Sequence, residues 1–285
     1  MRVVEPGLFT TVQDLGREGF GPMGVSASGA ADPLSLRIGN RLVGNPESAA
    51  ALEMTLLGGT FEFTEAATVV LAGSDFGVEC WRPIDLKPGQ ILKLGPTRSG
   101  ARCYLCVRGG FEVPMFLGSA STHILSGLGG FEGRALKKGD VLRIGTAFAS
   151  SAMPQRIPEA RKVLRVTRGP QADWFFASLG DGVYRVTEEA NRMGLRLEGP
   201  PIASEGEMIT EGVSLGAIQI TPSGQPIILF VDQQTTGGYP KIANVIAADL
   251  PSVGQLRPRD EIRFEEVSVE TAVALLREQE DALWI

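Results

Sequence analysis

The residues best suited to chemistry follow a short apolar run late in the chain. The stretch reads I-I-L-F-V-D-Q-Q-T-T-G-G-Y-P-K-I-A-N-V-I over Ile227–Ile246. The five apolar residues Ile227–Val231 predict a buried strand, so the polar residues after it should lie at the edge of a core. The Gly-Gly pair permits positive φ and close approach of a ligand, and Pro240 restricts the backbone beside Lys241. The pattern indicates either a site that ends in Lys241 or a polar hairpin with a solvated lysine.

Three other segments combine small and polar residues in a way that suits anion binding. The segment Ser26–Asp32 reads S-A-S-G-A-A-D and leads into a helix that begins at the following proline. Backbone amides at such a helix start favour anions, although plain capping by Asp32 is the alternative. Arg192 lies in the second segment, Asn191–Leu197, and could hold a carboxylate or form an internal ion pair. The third segment, Gly118–His123, is either part of a site or a polar loop.

Composition excludes several classes of function. The chain has 285 residues, of which 43% are hydrophobic and 21% charged, as in soluble globular proteins. Its net charge of −6 argues against a nucleic-acid-binding surface. No apolar run is long enough to span a bilayer, and the first residues lack the apolar core of a signal peptide. With three cysteines, an odd count, we expect a cytoplasmic protein without a disulfide framework.

The elements that must position these residues are mostly short strands. Many glycines and prolines without a short repeat predict frequent turns, and a polar, proline-containing linker is expected over 149–162. This gives a first half over 1–148 and a second over 163–285. Helices are predicted from Pro33, over Pro170–Leu179 and over Val269–Leu283 after the capping Ser268. The strands that we predict are Val3–Leu8, Thr10–Val12, Thr60–Phe63, Thr68–Ala72, Val78–Cys80, Ile91–Leu94, Arg102–Val107, Val141–Ile144 and Val163–Val166.

One local unit recurs three times. Leu86–Leu94 and Leu136–Ile144 share a tight turn that leads into an alternating strand, and Leu256–Phe264 is a looser copy. The third copy has Arg259 where the other two have glycine. The repeat indicates either a generic β-turn or two structurally related halves.

Several common motifs are matched in their residue types, but the surrounding sequence does not give the structural context that each motif requires. Gly19–Gly24 fits G-x-G-x-x-G but does not lie in a βαβ unit, and Gly212–Gly216 fits G-x-S-x-G without a later histidine. Residues three apart on a strand point to opposite faces, so Cys103–Cys106 predicts core packing rather than redox chemistry. One histidine and three cysteines argue against a zinc site, and we expect no metal site. The chain has no Gly-Lys pair for a P-loop and no Met-Lys-Met biotin attachment sequence.

Together these segments resemble one family over nearly the whole chain. It is known as the C subunit of 5-oxoprolinase, as allophanate hydrolase subunit 2, and as the biotin-dependent carboxyltransferase or Kip-inhibitor-antagonist family. The block T-T-G-G-Y-P-K-I is its most specific part. The resemblance rests on Gln13–Arg17, Gly24–Asp32, Asn40–Asn45, Gly118–Thr122, Asn191–Leu197, Gly216–Gln219 and Gly224–Asp249.

The resemblance implies a mainly β fold of two linked cyclophilin-like β-barrel halves. It also implies two partners, a B-type (allophanate hydrolase subunit 1 type) chain and an A-type chain. In one branch, such a complex cleaves 5-oxo-L-proline to L-glutamate at the expense of ATP, which this chain alone shows no sign of binding. The alternatives are a carboxyltransferase subunit that receives biotin through a partner, and a non-catalytic antagonist that binds a kinase-inhibitor partner. We expect neither nucleic-acid nor membrane binding.

If the chain is an enzyme subunit, the roles of its residues follow from the groups of 5-oxoproline, which carries a carboxylate and a lactam. Lys241 or Arg192 would hold the carboxylate, and Asp32 or Asp232 would handle a proton. The candidate catalytic residues are therefore Lys241, Asp32 and Asp232. The candidate substrate-binding residues are Ser26, Asn191, Arg192, Gln234, Thr236, Gly237, Gly238 and Tyr239.

Overall fold

The structure is a computed structural model that describes residues 1–146, 157, 159–206 and 208–283. The chain divides into two compact units. The first unit comprises Met1–Arg17, Ser28–Pro158 and Leu283–Ile285, and the second comprises Glu18–Ala27 and Glu159–Ala282. The second unit thus includes a short segment from the early part of the chain. The linker predicted over 149–162 falls mostly outside the described residues, and the domain boundaries predicted at 1–148 and 163–285 stay predictions.

The first unit contains two main sheets and one helix. A five-stranded sheet has the order β2-β3-β8-β5-β6, a three-stranded sheet the order β1-β4-β7, and β9 pairs with β10. All pairs in these sheets are antiparallel. The strands are β1 (Arg2–Glu5), β2 (Phe9–Gln13), β3 (Ala51–Thr55), β4 (Thr60–Phe63), β5 (Ala67–Gly73), β6 (Ile84–Leu86), β7 (Gln90–Lys93), β8 (Arg102–Val107), β9 (Phe111–Glu112) and β10 (Arg143–Ile144), and the helix is α1 (Pro33–Leu42).

Strand β8 shows why the first unit has two layers of core. All six of its residues are buried. Cys103 packs in one apolar cluster with residues of both main sheets, while Cys106 packs in a second cluster beneath α1. A Cβ added at Gly39 of α1 would lie 2.8 Å from Cys106 Sγ, so glycine lets the helix approach the sheet closely. The predicted core packing of the two cysteines on opposite faces of a strand is confirmed.

The second unit is built on a closed barrel. Its strand order is β11-β18-β15-β16-β13-β12-β19, with β11 and β19 parallel and the other pairs antiparallel. A separate two-stranded ribbon joins β14 to β17. The strands are β11 (Val163–Arg168), β12 (Tyr184–Val186), β13 (Gly194–Glu198), β14 (Glu211–Gly212), β15 (Ala217–Ile220), β16 (Pro226–Leu229), β17 (Thr236–Gly237), β18 (Lys241–Val245) and β19 (Glu261–Glu266), and the helices are α2 (Leu250–Gln255) and α3 (Val269–Leu283).

The predicted mainly β fold is confirmed, with a closed barrel in the second unit and open sheets in the first. Several local predictions are wrong, and the strand predicted over Val3–Leu8, for example, ends at Glu5. The segment Val78–Cys80 is not a strand because it follows Gly77, with φ of 87°, and precedes Trp81, with φ of 67°, so the chain turns at both ends. Over Pro170–Leu179, short 3-10 turns replace the predicted helix, since the adjacent aromatic residues Trp174, Phe175 and Phe176 form no apolar stripe at helical spacing. The strand that begins near Ile227 ends at Leu229, two residues early.

The predicted capping of α1 and α3 is confirmed. Asp32 accepts a hydrogen bond from the backbone N–H of Ser35, and Ser268 accepts one from Thr271. None of the helices in the described ranges has the length and apolarity needed to cross a bilayer.

Candidate functional site

Lys241 lies at the start of β18, opposite Gln219 of β15. Residues directly opposite on paired strands place their side chains on the same face, so Gln219 is a neighbour of Lys241. The side chain of Lys241 is only 6% exposed. Gln171 fixes its backbone, because the Gln171 N–H donates to the Lys241 carbonyl at 3.2 Å and the Lys241 N–H donates to Gln171 Oε1 at 3.1 Å.

The buried ammonium of Lys241 is paired with Glu211 of β14. Lys241 Nζ donates a hydrogen bond to Glu211 Oε1, and Gln171 Nε2 donates to the same oxygen at 3.0 Å. These hydrogen bonds, from Lys241 first and Gln171 second, lower the pKa of Glu211 from its ordinary value. Glu211 is therefore a carboxylate at neutral pH. We call Gln171, Glu211, Gln219, Gly237 and Lys241 the lysine cluster.

Gly237 belongs to the cluster because it pairs with Glu211 in the ribbon and lies beside the side-chain amides of Gln219 and Gln234. A Cβ at this position would lie 2.6 Å from Gln219 Nε2 and 3.0 Å from Gln234 Nε2. Gln219 is buried and donates through Nε2 to the Tyr239 carbonyl at 3.3 Å, whereas Gln234 is exposed. Thr236, Gly238 and Tyr239 are also exposed. Two side-chain amides therefore lie around Gly237, which is paired in the ribbon with Glu211, the partner of the Lys241 ammonium. Amide and ammonium N–H groups are donors suited to an anion or a polarised carbonyl.

Arg192 and Asp232 form a separate buried pair. Arg192 Nε lies 2.7 Å from Asp232 Oδ2, and Nη2 lies 3.1 Å from Oδ1, so both carboxylate oxygens are engaged. The Asp232 N–H also donates to the Arg192 carbonyl at 2.8 Å. Of the two readings left open for Arg192, the structure shows the internal ion pair. The proton-transfer role predicted for Asp232 stays a prediction.

Ser26 and Asn191 make contacts with backbone atoms of the second unit. Ser26 Oγ donates to the Gln233 carbonyl at 2.5 Å, which ties the segment Glu18–Ala27 to the polar stretch after β16. Asn191 Oδ1 accepts the N–H of Met193 at 2.8 Å and so shapes the turn before β13. Their predicted contacts with substrate remain predictions.

Asp32 belongs to the first unit, whereas the other candidates belong to the second. Oδ1 accepts the Ser35 N–H at 2.9 Å and Oδ2 accepts the Ser35 hydroxyl at 2.6 Å. The Asp32 N–H donates to the hydroxyl of Tyr104, which in turn donates to buried Glu53. The structure thus shows the capping role of Asp32, and its catalytic role stays a prediction.

The structure corrects one reading of Lys241 and adds three residues. A solvated loop lysine is wrong, because Lys241 begins a strand and its ammonium is buried against Glu211. Gln219 had a detectable signal, since it is the polar residue within the apolar strand Ala217–Ile220. Neither Gln171 nor Glu211 had such a signal, because they are far from Lys241 in the sequence. Gln171 is separated from it by 70 residues and Glu211 by 30. Among the described residues there is no group of three or more His, Cys, Asp or Glu that could hold a metal ion.

This chain is similar to known proteins over most of its length. Residues 23–266 match the family described as the carboxyltransferase domain, subdomain A and B. The chain belongs to this family. It is 38% identical to the C subunit of 5-oxoprolinase from Escherichia coli over 98% of this chain and 95% of that protein. The equivalent protein of Haemophilus influenzae is also 38% identical, over 95% of this chain and 92% of that protein. The resemblance inferred from the sequence is confirmed.

Larger proteins of the family contain the same fold as one part. The structure matches the urea amidolyase of K. lactis with a TM-score of 0.92 and 32% identity, over 99% of this chain and 19% of that one. It matches the urea carboxylase of Kluyveromyces lactis with a TM-score of 0.91 and 32% identity, over 98% of this chain and 28% of that one. The carboxyltransferase fold of this chain therefore spans about a fifth to a quarter of these proteins.

Proposed function

We propose that this chain is a subunit of a heteromeric, ATP-dependent 5-oxoprolinase that cleaves 5-oxo-L-proline to L-glutamate. The observation that carries the proposal is the 38% identity to the C subunits of two 5-oxoprolinases, each covered over more than nine-tenths of its length. This near-complete coverage distinguishes the C subunits from the urea amidolyase relatives, which are several times longer than this chain. The reaction adds water across the lactam C–N bond, which yields the side-chain carboxylate and the amine of glutamate.

The lysine cluster suits this substrate. The Lys241 ammonium offers a compact positive charge for the substrate carboxylate, since its partner Glu211 is 46% exposed. The Arg192 guanidinium is held by both oxygens of the buried Asp232. The amides of Gln219 and Gln234 offer N–H donors near Gly237 for the lactam carbonyl, whose polarisation favours attack by water. Burial strengthens the contacts of Lys241 and Gln219, because the local dielectric constant is low there, whereas Gln234 is exposed. We therefore assign Lys241 to substrate carboxylate binding.

The same cluster does not suit a nucleotide. A triphosphate needs several cations or a run of free backbone amides, whereas the cluster has one ammonium, already paired with Glu211. We assign ATP to another chain of the complex, with partners of the A and B types. We also propose a cytoplasmic location, which is supported by the free thiols of Cys80, Cys103 and Cys106, since these suit a reducing compartment.

A second candidate is the carboxyltransferase step of a biotin-dependent carboxylase. It is favoured by the TM-score of 0.91 to a urea carboxylase. In that case Lys241 would hold a carboxyl group in transfer, and biotin would arrive on a partner chain. A non-catalytic antagonist that binds a B-type partner would need a surface and would not depend on Lys241.

Reconstitution with the A-type and B-type partner chains tests these readings. We expect the three chains to elute together in size-exclusion chromatography and the complex to convert 5-oxoproline with ATP. This chain alone should hydrolyse no ATP. Lys241→Met keeps most of the buried hydrocarbon, and we expect it to reduce kcat/KM about 100-fold, or about 2.7 kcal/mol. Lys241→Arg should restore activity only in part.

Lys162→Met is the matched control, since Lys162 forms a more exposed ion pair with Asp260 in the same unit. We expect it to keep near-normal turnover. Normal turnover by Lys241→Met would remove Lys241 from the site. Carboxylation of urea with a carboxybiotin-bearing partner, without 5-oxoproline turnover, would favour the second candidate.

A further inference from the structure

The ammonium of Lys241 has more hydrogen-bond donors than the described part of the chain satisfies. Nζ can donate three hydrogen bonds. Within the described ranges it donates one, to Glu211 Oε1. Its side chain is 6% exposed, and a buried ammonium is costly unless acceptors and a counter-charge surround it. Nζ therefore has capacity for a further acceptor.

Glu211 is held much more loosely than Lys241. Its side chain is 46% exposed, and its strand β14 is two residues long and pairs with the equally short β17. Ile209, two residues before Glu211, is 91% exposed. Because an exposed carboxylate is well hydrated, Glu211 can turn into water at small cost, whereas Lys241 is fixed on the barrel.

Gln171 supports both partners separately. Its Oε1 accepts the backbone N–H of Lys241, and its Nε2 donates to Glu211 Oε1. The backbone of Lys241 therefore stays fixed when the carboxylate of Glu211 leaves Nζ. The amide of Gln171 is then free to donate to another carboxylate at the same place.

We propose that Glu211 occupies the place of a ligand carboxylate on Lys241 and is exchanged for that carboxylate when an anionic substrate binds. The proposal rests on the proposed function in taking Lys241 as the residue that binds the substrate carboxylate. The exchange keeps the charge of the site constant, because one carboxylate replaces another on the same ammonium. A neutral amide cannot neutralise Lys241, so it does not displace Glu211. Glu211 is thus a residue that determines specificity for carboxylate-bearing ligands.

The test is titration of the full chain with acetate, followed by the NMR signals of the Lys241 side chain, with acetamide as the neutral analogue. Glu211→Gln keeps an acceptor for Nζ and removes the competing charge. We expect acetate to bind this variant about fivefold more tightly than the wild type, a gain of the size that ion pairs near a surface provide. Acetamide should bind neither form measurably. Assignment of the Lys241 signals is made with Lys241→Arg.

Glu261→Gln is the matched control, since Glu261 forms an exposed ion pair with Arg185 in the same unit. It should leave acetate affinity at the wild-type value. Equal or weaker acetate binding by Glu211→Gln would overturn the proposal, as would an equal gain for acetamide. In the reconstituted complex, Glu211→Gln should lower the KM for 5-oxoproline, and a raised KM would overturn the exchange. If the wild-type complex fails to cleave 5-oxoproline while acetate exchange is observed, the proposed function fails and this inference stands.

Discussion

Replacement of Arg259 by glycine should stabilise the second unit. The three recurring turns of four residues have one geometry with two hydrogen bonds. The backbone N–H of the fourth residue donates to the carbonyl of the first, and the side chain of the fourth residue accepts the backbone N–H of the first. The distances for the backbone bonds are 3.0, 3.2 and 3.0 Å in the turns that begin at Lys87, Lys137 and Arg257. The side-chain bonds, from Gln90, Asp140 and Asp260, are 3.0, 2.7 and 2.9 Å.

The third residue of each turn has positive φ. The values are 79° at Gly89, 91° at Gly139 and 74° at Arg259. A Cβ at either glycine would meet no atom within 4 Å, so the cost of a side chain there comes from the backbone and not from a clash. A non-glycine residue in this region loses about 1–2 kcal/mol, and glycine loses about 0.4–1 kcal/mol through the greater freedom of the unfolded chain. The net gain from glycine is therefore about 0.5–1 kcal/mol.

The matched control at the same position is Arg259→Ala. Both variants remove the ion pair between Arg259 Nε and Glu188, whose side chains are 83% and 65% exposed and whose contribution is therefore small. Arg259→Gly should unfold about 1–4 °C above Arg259→Ala in differential scanning calorimetry, from about 2–4 °C per kcal/mol for a chain of this size. Gly89→Ala and Gly139→Ala should each lower the unfolding temperature. Equal unfolding temperatures for the two Arg259 variants would refute the argument from φ.

Two further predictions concern buried and half-buried polar groups. Tyr104→Phe should lower the free energy of unfolding by about 2–3 kcal/mol in denaturant titration, because the Asp32 N–H and the Glu53 carboxylate both lose a partner while buried. Asp140→Asn should destabilise the protein at pH 7 and lose its effect in acid. Hydrogen bonding to Arg134 lowers the pKa of Asp140 in the folded state, so its stabilisation is present above the ordinary carboxyl pKa and disappears as pH falls through the lowered value. Thermal scans from pH 7 downward would show the two unfolding temperatures converge.

The strands that the sequence predicted well are those with an unambiguous period. Thr60–Phe63 alternates between half-buried and buried residues, and its bounds were predicted correctly. Arg102–Val107 is fully buried and was predicted with correct bounds from its apolar content. Both patterns arise from local periodicity, which a single sequence contains. The inclusion of Glu18–Ala27 in the second unit depends on distant contacts such as that of Ser26 with Gln233, and no local pattern encodes it.

The candidate site was predicted in part. The stretch around Lys241 was singled out correctly as a polar end to a buried strand, but its burial was not foreseen. Burial of the ammonium depends on the ribbon that pairs Glu211 with Gly237, and β14 is too short to produce a periodic signal. The sequence left two alternatives for Arg192, a substrate carboxylate or an internal ion pair. The pair with Asp232 could not be predicted, because residue type alone does not show which carboxylate a guanidinium contacts.

Gly237 was predicted as a binding residue for a reason that the structure changes. The sequence suggested that the Gly-Gly pair supplies positive φ, but neither Gly237 nor Gly238 adopts it. The structure shows close approach at position 237 instead, because the amide nitrogens of Gln219 and Gln234 would lie 2.6 and 3.0 Å from an added Cβ. Close approach, the second property of glycine, therefore brings two N–H donors together beside the ribbon that carries Glu211. The amide nitrogens fill this space themselves, so they are the groups that a lactam carbonyl would meet there.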